Sequence, residues 1–120
     1  MKNFRELKVW ERAHQLTLSI YKVTTTLPRE ELYGLMTSQI RRSRASIAAN
    51  IAEGCGRGSE ADFARFLHIA MGSASELEYH LLLARDLNFL HQLAYENLDR
   101  AVTDKKRMLT AFIQKLTADR

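Results

Sequence analysis

Phe63, Leu67, Ala70, Ala74, Leu77, Leu81 and Ala84 follow one another at alternating steps of four and three, without a slip. That spacing places every one of them on one face of an α-helix, and no strand pattern shares it. The helix it predicts runs from Glu60 to about Asn88, roughly 43 Å at 1.5 Å per residue. Few chains of 120 residues can hold such a rod except by laying others of similar length beside it. One proline and five glycines leave the rest of the chain free to do so.

Three further segments supply the partners. Val9, Ala13, Leu16, Ile20 and Val23 predict a first helix over 4–25. Met36, Ile40, Ile47 and Ile51 predict a second over about 34–53. Tyr95, Leu98, Val102, Leu109, Phe112 and Leu116 predict a fourth over 92–118, with Lys105 in the gap of its stripe, its stem along the core edge and its ammonium in water. Pro28, in the Leu27–Glu31 connection, suits the first turn of the second helix. Gly54 is placed as a left-handed stop, and Ser59 with Asp62 three residues on reads as an N-cap. Short connections between long helices mean antiparallel neighbours. The expected fold is an all-α, antiparallel up-down-up-down four-helix bundle in a single domain spanning residues 1–120.

Two helices have more than one apolar or small side. Leu7, Trp10, Leu18 and Tyr21 lie nearly opposite the core stripe of the first helix. They either meet another subunit or fold over the bundle edge. In the second helix, Ser38, Ala45, Ala48, Ala49 and Ala52 form a small-residue side where another backbone can come close. Leu7, Trp10, Tyr21, Ala45, Ala48 and Ala52 are therefore the expected oligomer interface.

No catalytic constellation accompanies these faces. A bundle di-metal site wants two inward Glu-x-x-His pairs and two further glutamates; only Glu11 and His14 form such a pair, off the core stripe. His68, His80 and His91 lack ligand spacing, and Glu76 with His80 reads as a surface hydrogen bond. Cys55 has no histidine nearby in sequence and reads as a small loop residue. Gly56-Arg57-Gly58-Ser59 lacks the lysine and spacing of a phosphate loop. No metal, no cofactor and no enzymatic activity are expected.

Charge is the remaining chemistry. Residues 1–58 carry +5, residues 59–90 carry −3 and residues 91–120 carry +2. Lys8, Arg12 and Lys22 line a polar strip of the first helix. Arg41, Arg42 and Arg44 fall within one turn of the second, and Lys105, Lys106 and Arg107 within one turn of the fourth. Each group is a candidate for phosphate contact, and a solvated face or intersubunit ion pairs explain each equally well. No exposed stacking aromatic is evident near the arginines in the sequence, so a backbone-dominated contact is expected. Asn50 and Glu53 read as structural polar residues: Asn50 bonding a facing helix or loop, Glu53 taking an arginine such as Arg42. No apolar run approaches a bilayer span, the N-terminus lacks a secretory pattern and one cysteine allows no intrachain disulfide, so a cytoplasmic location is expected.

Five motifs occur together: Phe4-x-x-Leu7-x-x-Trp10-x-x-Ala13, Tyr33-Gly34-Leu35, Gln39-x-x-Arg42, Ser46-Ile47-x-x-Asn50-Ile51-Ala52-Glu53-Gly54, and Ala70-x-Gly72-Ser73-x-x-Glu76-Leu77. With them the chain resembles the four-helix-bundle proteins encoded in intervening sequences of bacterial 23S ribosomal RNA genes. The resemblance implies an up-down bundle assembled as a ring-like homopentamer, with ribosomal RNA association suggested by gene location. A similar bundle is the accessory protein of diversity-generating retroelements, which binds a reverse transcriptase and nucleic acid. Arg44 departs from the pattern, where a smaller residue is expected. The expected function is a non-enzymatic oligomer binding structured RNA through basic surface residues. The alternative is a protein-interaction scaffold or accessory factor.

Overall fold

A computed structural model describes residues 3–25 and 31–118, the side chains of residues 31–36 excepted. Four helices account for most of it: α1 (Lys8–Thr24), α2 (Glu31–Cys55), α3 (Glu60–Asp86) and α4 (Gln92–Thr117). Each packs on its neighbours in the order α1–α2–α3–α4, and α4 closes back on α1. The result is an antiparallel four-helix bundle measuring 48 × 20 × 19 Å. No strand occurs among the described residues.

The predicted stripes are the core. Ile20, Ile40, Ile47, Ile51, Leu67, Leu77, Leu81, Val102 and Leu109 are fully buried. Each such side chain contributes about 1.5–3 kcal/mol relative to exposure. On α1 the last core position falls to Thr24, with Val23 half-buried. On α4, Ile113 is buried while Tyr95 and Phe112 are half-buried. The side chain of Met36 and the connection at 27–30 lie outside the described residues.

The first helix is shorter than its periodicity predicts. Phe4–Glu6 form a separate 3-10 turn, capped by Asn3, whose Oδ1 accepts from the Arg5 N–H at 3.1 Å. Leu7 is then extended (φ −81°, ψ 123°) before α1 begins. The break folds Phe4 back onto Trp10, their ring centres 4.9 Å apart.

Two chain reversals differ from expectation as well. Gly54 is not a left-handed stop: no described glycine has positive φ, and α2 continues through Cys55. Gly54 is buried where α3 crosses, and a Cβ there would meet the Cβ of Phe66 at 2.6 Å. Cys55 is accordingly the buried last residue of α2 rather than part of a loop. At the other end, α3 stops at Asp86, and Asn88 takes the left-handed conformation (φ 64°). The Phe89 N–H bonds Ala84 O at 2.8 Å and the Asn88 N–H bonds Arg85 O at 2.9 Å. These are the paired bonds of a Schellman stop, and asparagine tolerates its φ better than other side chains do. Ser59 caps α3 as predicted, accepting from the Asp62 N–H at 3.1 Å.

Candidate nucleic-acid interface

The α1–α2 seam holds an unusual concentration of positive charge. Antiparallel packing sets Thr17, Tyr21 and Thr24 of α1 beside Arg44 and Arg41 of α2. Arg44 donates from Nη1 to Thr17 O at 2.9 Å and from Nε to Arg41 O at 3.1 Å. Arg41 donates from Nε to Thr24 Oγ1 at 3.0 Å. Both guanidinium groups lie over the Tyr21 ring, 3.8 Å from its centre for Arg44 and 4.7 Å for Arg41. A ring face attracts a cation through its quadrupole, more strongly where water is excluded.

Arg44 is the clearest departure from the sequence reading. Only 5% of it is exposed, so it is not one of the surface cations that reach a phosphate. Burial lowers its pKa from the ordinary guanidinium value, Tyr21 pulls it back up, and Arg41 lowers it slightly. The expectation of no exposed aromatic near the arginines is a second correction, because 48% of Tyr21 is exposed. An accessible aromatic does stand beside the arginines. It comes from another helix, which is why local sequence did not reveal it. Among the described residues no carboxylate forms an ion pair with Arg41 or Arg44.

The other cations do not join this cluster. Arg42, one residue from Arg41, faces α3 and pairs with Glu76 at 3.4 Å. Lys106 also faces α3, pairing with Glu78 at 3.2 Å. Lys105 turns to the α1 side, where Arg12 is near enough to repel it; burial lowers its pKa, with Asp104 raising it and Arg12 lowering it further. Arg107 is exposed between shallow cavities of about 340 Å³ on α4. Lys8, Arg12 and Lys22 are exposed along one row of α1. The nine expected contacts are thus spread over all four seams rather than gathered on one surface.

The α2–α3 seam is polar and differs from its predicted pairing. Ser43, buried, donates to Glu76 Oε1 at 2.9 Å and lies 3.5 Å from His80 Nδ1. Glu76 and His80 therefore converge on Ser43 instead of bonding each other. Ser46 and Ser73 bond across the seam at 2.8 Å. Asn50 bonds within its own helix, to Ser46 O at 2.7 Å and Ser46 Oγ at 2.8 Å, not to a facing element. Glu53 takes Arg57 at 3.2 Å, not Arg42.

Of the expected interface residues, Ala45 is exposed, Ala52 half-buried, and Ala48 buried within the protomer's own core. Ala48 therefore offers little surface to another subunit. Leu7 and Trp10 are half-buried against the core, with Trp10 also stacked on His14 at 5.0 Å between ring centres. Leu18 and Tyr21 remain exposed. Among the described residues no group of three or more His, Cys, Asp or Glu is placed to hold a metal ion, and no helix is long and apolar enough to cross a membrane.

Residues 5–111 match the sequence profile of the 23S rRNA-intervening sequence protein family. The chain belongs to this family. A crystal structure of a protein with unknown function from the S23 ribosomal protein family of Bacteroides thetaiotaomicron matches this family member with a TM-score of 0.83 at 31% identity, covering 88% of this chain and 98% of that one. No curated protein matches. Within this family member, Arg42, Ser46, Ser73 and Glu76, which carried the resemblance in sequence, bond across the α2–α3 seam, while Gln39 and Asn50 bond Arg42 and Ser46 within α2. Neither the family nor its solved relative has an assigned function.

Proposed function

We propose that the protein is a non-enzymatic helical bundle that binds ribosomal RNA in the cytoplasm as a homo-oligomer, with the α1–α2 seam as its principal contact. One observation carries this reading: Arg41 and Arg44 share the Tyr21 ring with no carboxylate partner among the described residues. Two neighbouring cations repel each other, and an anion in contact with the half-buried Arg41 relieves that cost. Lys8, Arg12 and Lys22 add positive charge elsewhere on α1, outside the Tyr21 cluster. The pentamer comes from family resemblance alone, and native mass spectrometry of the full chain tests it. Labelled 23S-type RNA titrated at increasing salt tests RNA binding. Affinity should fall with salt, and Arg41→Ala should weaken it more than Arg42→Ala, whose guanidinium already faces Glu76. Absence of binding at low salt would refute the reading.

A second reading, a protein-interaction scaffold such as a reverse-transcriptase accessory factor, is favoured by a different observation. Leu18 on α1 and Ile69 and Tyr79 on α3 are all more than two-fifths exposed. Exposed apolar side chains on two helices suit a protein partner. A reverse-transcriptase gene beside this one would favour this reading, and a position inside a ribosomal RNA operon would favour the first.

A further inference from the structure

The geometry points to an unpaired nucleotide, rather than a paired duplex backbone, as the feature recognised at the Tyr21–Arg41 position; this inference rests on the RNA reading above.

Duplex phosphates are met by several protruding cations at once. This seam offers very little of that kind. Arg44 is 5% exposed and bonded to two backbone carbonyls, so it supports the ring and does not reach outward. Arg42 is turned to Glu76. What remains open is Tyr21, 48% exposed as a residue, one half-buried guanidinium and Leu18, 43% exposed and one turn before Tyr21. An apolar, aromatic surface with a single adjacent cation matches a base and its own phosphate. Base–aromatic contact is tolerant of sequence because every base has a π-face.

Access supports the same assignment. Ser38 and Ala45 stand one turn before and one turn after Arg41 on the exposed side of α2. Both are small and exposed, so neither puts bulk on the turns of α2 that flank Arg41. A base splayed from a loop or bulge can enter there; one held in a helical stack cannot.

The test uses the full chain and two fluorescein-labelled RNAs of equal phosphate number, one a hairpin with an adenosine loop and the other fully paired. The hairpin should bind more tightly by roughly tenfold, the order expected for one stacked base. Tyr21→Ala should abolish that preference, and Tyr21→Phe should retain it. Because Tyr21→Ala also unpacks Arg44, Leu18→Ser serves as a second variant that leaves the Arg44 contacts in place, and it should reduce the preference. Equal affinity of the native protein for the two RNAs would overturn this inference and leave the RNA reading standing. Binding to neither would overturn both. A Tyr21→Ala change in assembly mass with the loop preference intact would assign the ring to a subunit contact and overturn the inference.

Discussion

Gly54 and Phe66 stand so close that a methyl group on Gly54 would sit 2.6 Å from the Cβ of Phe66. Phe63 closes the same space from the side, at 3.0 Å. Alanine is the better helix former by about 1 kcal/mol. Overpacking costs about 1–3 kcal/mol. Because the obstacle is a Cβ and not a flexible tip, the clash wins. Gly54→Ala should lower unfolding free energy by up to about 2 kcal/mol in urea titration.

Gly72 predicts the opposite sign for the same substitution. It lies in the middle of α3, exposed, and a methyl group added there would meet nothing within 4 Å. Only helix propensity changes, so Gly72→Ala should stabilise by about 1 kcal/mol. Parallel urea titrations of the two variants check both signs in one experiment.

The polar α2–α3 seam should show a large difference between adjacent residues. Ser43 is buried and donates to Glu76, so Ser43→Ala should cost about 1 kcal/mol. Arg42 binds the same carboxylate from solvent, with 68% of its side chain exposed. An exposed ion pair contributes little, and Arg42→Ala should cost under about 0.5 kcal/mol. Thermal unfolding of the two single variants and the double variant measures the ranking and the coupling.

Lys105 predicts a pH dependence. Burial, then Arg12 against the opposing pull of Asp104, lowers its folded-state pKa below the ordinary 10.5. Below both pKa values the amine is charged in both states and the folded state bears the whole penalty. As pH rises through the folded pKa toward 10.5 the folded form sheds its proton first and the penalty disappears. Lys105→Met should therefore be more stable than the native protein at neutral pH, with the advantage shrinking through the alkaline range. Urea midpoints measured from neutral pH to above the ordinary lysine pKa give the comparison.

Periodicity carried the helices and nearly all of the core, because burial of Ile20, Ile47, Leu67 or Val102 follows from spacing along a single helix. Contacts between helices were harder to foresee. Whether Arg42 meets Glu53 or Glu76, and whether an aromatic stands beside Arg41, depends on how α2 is rotated and slid against α1 and α3. Composition does not encode that register. Gly54 shows the same limit in one residue: a left-handed stop and a close helix approach both call for glycine, and with Gly56 and Gly58 just beyond it the neighbouring letters do not choose. The burial of Arg44 was hidden for a related reason, since its stabilising partners are backbone carbonyls and a ring from α1.

Distribution of cations over four seams has a kinetic consequence. Lys106 and Arg42 are each neutralised locally, and Arg41 is drawn inward to Thr24. The cations left unpaired, Lys8, Arg12, Lys22 and Arg107, are dispersed rather than focused on the Tyr21 position, so steering toward that position should be weak. Selectivity among targets then rests on how long a correctly seated complex lasts, not on how often one is met.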